Sequence, residues 1–442
     1  MKISVIGCGY LGAVHAAAMA SIGHEVVGVD VDAAKIERLA RGEAPFHEPG
    51  FDELLRAEVE AGRLRFSTDL TDAADADVHF VAVGTPQSRD GRAADVSYVD
   101  AAFQALAPVV RPGSIVVGKS TVPVGTAARL AELVEDAGAA LVWNPEFLRE
   151  GFAVKDTVEP DRLVYGVGRV GASPRDPVEE WPDVAVLDAV YAPIVARRTP
   201  RLVTDWATAE LVKVSANAFL ATKISFINAM AEIAEATGAD VTMLADAIGM
   251  DPRIGRRFLN AGVGFGGGCL PKDIRAFTAR AEELGVGASV GFLKEVDEIN
   301  LRRRDRVVNL VLEALGARRH LGRVAILGLA FKPDSDDIRD SPALDVAVRL
   351  RGLGVEVVAT DPQAIENARA RHPQLSYVAD THEALRDADV VVLVTEWAEY
   401  RGLDPVATQG LVADAPTIVD GRNVLDPAAW RSAGWTYRGM GR

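Results

Sequence analysis

Short apolar runs separated by longer amphipathic stretches open the chain. Residues 3–6, 25–30, 78–83, 115–119 and 141–143 are such runs, each ending near Gly, Asp or Thr, and the segments between them carry apolar positions at helical spacing. Strands separated by helices imply right-handed crossovers and a parallel sheet. The character then changes. Residues 207–237 contain no Pro or Gly, Gly238 follows, and Leu211, Val214, Phe219, Ile224, Ile227 and Ile233 recur at helical spacing. A helix of that length spans roughly 46 Å at about 1.5 Å per residue. A second long helical pattern covers 291–315. This middle region reads as a spine of long helices, a kind that buries one face against a partner subunit, so a homodimer is expected. A third section begins near Gly322, with apolar strands predicted at 324–327, 355–359 and 389–394. Asp387-Ala388-Asp389 at the head of the last run echoes Asp75-Ala76-Asp77 before 78–83. The expected class is α/β: two related, doubly wound parallel-sheet lobes joined by a central helical spine, with domains at 1–200, 201–315 and 316–442. Residues 171–183, rich in Pro and acidic side chains, read as a surface loop.

Composition narrows the class. The chain has 442 residues, 49% hydrophobic and 25% charged, which is globular and requires more than one core. With 48 basic and 63 acidic residues, the formal charge is −15. That surface repels nucleic acid and anionic membranes, so neither is an expected partner, and an anionic substrate needs a local basic pocket. No apolar run reaches 18 residues, so no membrane span is expected. The N-terminus reads as a first strand instead of a signal peptide, and only two cysteines occur, Cys8 and Cys269. A reducing, cytoplasmic setting is expected. No metal-ligand set is expected.

The first strand runs into Gly7-Cys8-Gly9-Tyr10-Leu11-Gly12, a GxGxxG match between a strand and a helix. In a Rossmann-like lobe Gly7 permits the tight turn, Gly9 admits the pyrophosphate to the helix N-terminus, and Gly12 lets helix and strand pack closely. Asp30 closes the second strand; its carboxylate suits the adenosine ribose and repels a 2′-phosphate, favouring NAD over NADP. The alternative is a glycine turn without a ligand. Cys8 reads as a small apolar filler. Thr85 and Thr121 follow later strands of the same sheet and should line the cofactor crevice, although each suits a turn-capping hydroxyl nearly as well.

The richest stretch runs from Asn260 to Asp273. Gly262, Gly264, Gly266, Gly267 and Gly268 make a loop whose amides can approach a ligand, and Cys269 follows at the start of a predicted helix with Pro271 in its first turn. The helix N-terminus and Lys272 favour thiolate, and Asp273 shares the face of Cys269. A thiol beside a carboxylate suits covalent catalysis with proton transfer; a buried, inert cysteine after a flexible loop is the other reading. Glu146 and Glu150 follow a strand of the first sheet. Lys213 and Asn217 fall at i and i+4 of the spine helix, where an ammonium and an amide can hold an oxyanion or simply form a solvated face. Lys332, Arg253, Arg256 and Arg257 supply local positive charge.

Together these motifs resemble the UDP-glucose 6-dehydrogenase family, within the wider nucleotide-sugar 6-dehydrogenases, along residues 7 to 423. The resemblance rests on the stretches at 7–12, 48–50, 83–86, 120–125, 144–151, 213–219, 264–273 and 331–342. It implies a four-electron, NAD-dependent oxidation of a sugar C6 alcohol through a Cys269 thiohemiacetal and thioester. It further implies Lys213 and Asn217 as oxyanion stabilisers, and Asp273, Thr121 and Glu146 as groups that position water and move protons. Glu150, Lys35, Lys272 and Arg339 resemble cofactor contacts, beside Tyr10 and Leu11 within the glycine turn. Phe147, Leu148, Arg149, Glu150, Lys213, Phe258, Leu259, Asn260, Ala261, Gly262, Gly266 and Lys332 resemble substrate contacts, and Arg253 an arginine that reaches the neighbouring subunit's sugar pocket. Gly268 stands where serine is usual, and Val214-Ser215 where Tyr-Ala is usual. UDP-glucose is the expected substrate. GDP-mannose is the nearest rival, disfavoured by Asp251-Pro252-Arg253-Ile254-Gly255; UDP-N-acetyl sugars are disfavoured by Gly268. A non-catalytic NAD sensor and a two-electron hydroxyacid dehydrogenase are rivals of other classes; neither needs the thiol.

Overall fold

A computed structural model describes residues 1–89, 91–169, 181–318 and 322–442. Most of the expected surface loop at 171–183 lies outside the described residues; its end, from Pro182, opens the helix Pro182–Val190. The first sheet has eight strands: β1 (Lys2–Ile6), β2 (Glu25–Val29), β3 (Leu64–Ser67), β4 (Val78–Val81), β5 (Ile115–Gly118), β6 (Ala140–Trp143), β7 (Leu163–Val167) and β8 (Arg201–Asp205). Their order is β3-β2-β1-β4-β5-β6-β7-β8. Every neighbour pairs parallel except β6 with β7, where Trp143 lies opposite Gly166 in an antiparallel register. Helices cover both faces, so the central strands β4 and β5 are buried along their whole length. The period of two still decides direction: Ile3, Val5, Val117 and Val142 pack in one core, Ile6, Val116, Leu141 and Trp143 in the other.

The second sheet holds β9 (Arg323–Leu327), β10 (Glu356–Thr360), β11 (Ser376–Tyr377), β12 (Val390–Leu393), β13 (Thr417–Asp420) and β14 (Thr436–Gly439), all parallel, in the order β11-β10-β9-β12-β13-β14. This repeats the order of the first six strands. The Asp-Ala-Asp echo has the same job in both sheets. Asp77 accepts the Lys2 N–H at 3.0 Å and donates its own amide to Lys2 O at 2.8 Å. Asp389 does the same with Arg323, at 3.0 and 2.9 Å. Each aspartate thus locks the start of its sheet's first strand.

Between the sheets in sequence lie the long helices Trp206–Thr237 and Phe292–Leu315, within a residue of expectation at each end. The chain divides into two compact units, one of Met1–Ala216 with Ala279–Gly287, the other of Asn217–Thr278 with Ala288–Arg442. Among the described residues no helix is long and apolar enough to cross a membrane.

Candidate functional site

In the first unit the glycine turn has the geometry a dinucleotide needs. Gly7 adopts φ +90°. A Cβ at Gly12 would stand 1.8 Å from the Gly7 carbonyl oxygen, so only glycine lets the helix sit this close to the turn. At Gly9 the opposite holds: nothing lies within 4 Å of a Cβ position, and the space opens before the helix Tyr10–Ser21. That helix has no side-chain cap and no acidic residue in its first turn, leaving its first amides for an anion. Asp30, just past β2, accepts from the Cys8 amide at 2.8 Å and from Lys35 Nζ at 3.0 Å. A carboxylate is therefore fixed beside the turn, where a ribose would be met. Cys8 is fully buried, with Sγ 3.9 Å from Val5 O, and desolvation, then Asp30, pushes its thiol well up. It is an inert filler.

Loops at the carboxyl ends of the strands join this turn. The Thr85 hydroxyl donates to Thr121 O at 2.7 Å, and the Ser120 hydroxyl to Val83 O at 2.6 Å, stitching the segments after β4 and β5. The Tyr10 hydroxyl donates to Glu48, whose carboxylate also accepts from Gly151 N at 2.6 Å and Ala153 N at 2.7 Å. Glu48 so ties the helix Tyr10–Ser21 to the 144–151 segment, where Leu148 and Glu150 are half-buried. Leu11 packs against the core. Glu146 accepts from Leu148 N at 2.6 Å and pairs with Lys213 Nζ at 2.9 Å, both side chains largely buried. The Phe147 ring has the Arg162 guanidinium 3.7 Å from its centroid and Lys213 Nζ at 5.7 Å. Arg149 is held by Asp156 through two bonds of 2.8 and 2.6 Å.

In the second unit Cys269 O accepts the first helical bond, from Asp273 N at 2.9 Å, so Cys269 caps the helix Leu270–Glu283 and is exposed. Asp273 is buried; its Oδ2 accepts from Asn217 Nδ2 at 2.7 Å, and its Oδ1 pairs with Lys272 Nζ at 2.6 Å. Lys213 and Asn217 lie one turn apart on Trp206–Thr237, each with an anionic partner: Glu146 for the lysine, Asp273 for the amide.

The glycines before Cys269 make their close approaches to the protein itself. A Cβ at Gly262 would come within 2.5 Å of Gly421 O, at Gly266 within 2.3 Å of Asp340 O, and at Gly268 within 2.4 Å of the Arg339 guanidinium carbon. The loop is pinned from behind. Asn300, fully buried, accepts from Phe265 N at 2.7 Å and donates to Phe265 O at 2.9 Å. Arg422 donates to Gly264 O at 3.0 Å and Phe331 O at 3.1 Å.

Three nearly contiguous sequence models cover most of the chain: the NAD binding domain of the UDP-glucose/GDP-mannose dehydrogenase family over residues 1–195, its central domain over 207–302, and its UDP binding domain over 325–427. The chain belongs to the UDP-glucose/GDP-mannose dehydrogenase family. It is 40% identical to a UDP-glucose 6-dehydrogenase of Rhizobium meliloti over the full length of both chains. It is also 40% identical to the UDP-glucose 6-dehydrogenase TuaD of Bacillus subtilis, over all of this chain and 93% of that one. Among solved structures it resembles a UDP-glucose dehydrogenase of Pyrobaculum islandicum, with TM-score 0.87, 38% identity, and coverage of 100% of this chain and 97% of that one.

As a member of this family the chain is an NAD-dependent oxidoreductase, and its residues fit the cofactor: the open face at Gly9 and the uncapped helix suit a pyrophosphate, and Asp30 suits a ribose. The proposed substrate segment of the family divides sharply. Leu259 and Ala261 are buried in a core with Ile227, Ala231 and Val241, so only their backbones can meet a ligand. Phe258, at φ +66°, and Asn260, which accepts from Arg256 at 2.8 Å, face outward. Gly262 donates its amide to Asn228 at 2.8 Å. Lys332 Nζ stands 5.4 Å from the Phe331 ring centroid, and Arg339 is paired with Asp337. Arg253 is 87% exposed and paired with Asp251. Residues that sequence reasoning gave no role include Glu48, Asn300, Arg422 and Lys119. Burial lowers the Lys119 ammonium to about 8, against the attraction of Glu146, and Nζ donates to Asn144 Oδ1 at 3.0 Å. A lysine inside an otherwise apolar strand end was the available signal. Among the described residues no cluster of three or more His, Cys, Asp or Glu side chains is arranged to hold a metal.

Proposed function

We propose that the protein oxidises the C6 alcohol of UDP-glucose to the carboxylate, giving UDP-glucuronate through a covalent intermediate on Cys269. The observation that carries the reading is an exposed cysteine capping a helix whose next turn presents a buried aspartate held by Asn217 and Lys272. A helix N-terminus stabilises the thiolate. NAD, when bound, accepts the hydride lost at each oxidation. The chain's own groups do the rest. A base takes the proton of the C6 hydroxyl as the aldehyde forms. The Cys269 sulfur adds to the aldehyde carbon, giving a thiohemiacetal whose oxygen Lys213 and Asn217 would stabilise. Loss of the second hydride and the hydroxyl proton leaves a thioester. Water then attacks, the C–S bond breaks, and the sulfur leaves as thiolate. Glu146, Thr121 and Asp273 are the groups proposed to position that water and move its protons. The relatives named above support glucose over mannose: two at 40% identity and one structure at 38% carry UDP-glucose in their names.

The same reading makes the enzyme a homodimer through its central helices. Phe219, Phe226 and Ile233, at 68%, 48% and 55% exposure, repeat every seven residues and form one apolar stripe on Trp206–Thr237. Arg253, exposed beyond its own unit's core, is proposed to serve the neighbouring subunit's site. Replacing Cys269 by Ala tests the chemistry. Expected is the loss of UDP-glucuronate, with NAD binding intact by titration; continued acid production would exclude the covalent route. Light scattering after Phe226→Glu tests the dimer: a fall to monomer mass is expected, and an unchanged dimer would refute this interface.

A further inference from the structure

The helix Thr126–Asp136 follows the Thr121 loop directly and carries no cap of its own. Its N-cap position is Gly125, at φ +97°, which has no side chain to offer. Four orphan amides at a buried helix start are costly unless something accepts from them. The acceptor comes from far along the chain: Glu210 takes the Gly125 N–H on Oε2 and the Ala127 N–H on Oε1, both at 2.7 Å. Glu210 is 2% exposed and sits on Trp206–Thr237, three residues before Lys213. Its charged neighbour is Arg280, whose Nε donates to Val124 O at 3.0 Å and whose Nη1 pairs with Glu283. The head of the loop is fixed by Thr85 and Ser120, as described above; its tail is fixed by Glu210 and Arg280.

We propose that Glu210 is a positioning residue for the oxidation, holding the Thr121 loop at a fixed distance from the helix that carries Lys213. The proposal rests on the reading that Thr121 and Lys213 serve the reacting sugar. One carboxylate spans both elements, so any slack in its two bonds separates groups that must act on the same substrate. Burial favours the neutral carboxyl, lifting it to about 7, while the three amides at 125–127 and Arg280 favour the anion. An ionisable group kept in such a place, where an apolar side chain would cost less to bury, is explained by the bidentate grip only a carboxylate provides.

Glu210→Gln is isosteric but sets an NH2 against one of the two amides, breaking half the grip. The test measures kcat and KM for NAD in Glu210→Gln, Thr121→Ala and the double variant, with hydrogen exchange at 121–127. Expected for Glu210→Gln are faster exchange at 125–127 and a kcat lower by up to about 10²-fold, the effect of a misplacement near 1 Å. KM for NAD should rise no more than in Thr121→Ala, whose loop borders the expected cofactor crevice, and the double variant should be no slower than Thr121→Ala alone, since Glu210 acts through that loop. Faster exchange with unchanged kcat, while Thr121→Ala is impaired, would overturn the proposal and leave the mechanism standing. Additive losses in the double variant would also overturn it. Full activity in Thr121→Ala would sink the underlying reading and the proposal with it.

Discussion

Asn300→Ala isolates what holds the cysteine loop in place. Asn300 is buried on the helix Phe292–Leu315 and grips both backbone polar groups of one residue, the Phe265 N–H at 2.7 Å and the Phe265 C=O at 2.9 Å. Alanine leaves both without that partner, in a place water does not reach. A buried group left unsatisfied costs about 1–3 kcal/mol. The amide bears this in full. The carbonyl keeps a long contact from Arg304, at 3.4 Å, and loses less. The loop's closed state is therefore weakened by about 2–4 kcal/mol, which at 1.36 kcal/mol per tenfold is roughly 30- to 10³-fold in its opening equilibrium. Hydrogen exchange of a peptide spanning 262–270 reads this directly, and it should accelerate by that factor. Because Cys269 ends the loop, kcat should fall with it. Unchanged exchange at 262–270 would refute the reasoning. So would a variant whose only defect is a raised KM for NAD.

Two glycines separate rigid from yielding neighbours. Gly12→Ala places a Cβ 1.8 Å from a backbone oxygen that cannot move aside, so NAD affinity measured by titration should fall at least about tenfold. Gly268→Ser meets only the end of the Arg339 side chain, 2.4 Å away, which can swing out; its stability cost should stay under about 1 kcal/mol by thermal melt. The pH dependence of stability has a sign fixed by Glu210. Its carboxyl is raised to about 7 in the fold from an ordinary 4.5, so between those values the folded chain holds the extra proton and stability falls as pH rises. That contribution is complete below 4.5 and lost above 7, worth about 3 kcal/mol at full size, and Glu210→Gln should flatten this slope in denaturant titrations from pH 4.5 to 7.5. An equal slope in wild type and variant would exclude the assignment.

What the sequence made legible was local. Gly7, Gly9 and Gly12 differ in the structure as the motif demands: a left-handed turn, an open face and a close approach. The long helices show because thirty-two and twenty-four residues of unbroken helical spacing have no other use. The Asp77 and Asp389 echo shows because the same hydrogen bond is built twice. Strands β7 and β8 were not anticipated: β8 is a half-exposed edge with only Leu202 and Val203 apolar between Arg201 and Thr204-Asp205, and the reversal at β6–β7 depends on the connection and not on either strand. The glycine loop carries a constraint that its sequence does not show: Gly262 and Gly266 press on backbone oxygens of Gly421 and Asp340, more than seventy residues away. Glu210 and Asn300 stayed silent for the same reason, since a polar residue in a helical pattern looks solvated until its partner, 85 or 35 residues distant, is placed beside it.

The central claim is a four-electron oxidation held on one thiol. NADH formed per sugar nucleotide consumed tests it most directly, with UDP-glucose and GDP-mannose supplied separately in limiting amount. Two NADH per UDP-glucose, with GDP-mannose inert, is the predicted result. One NADH per UDP-glucose would contradict the thioester, and turnover of GDP-mannose in place of UDP-glucose would contradict the substrate.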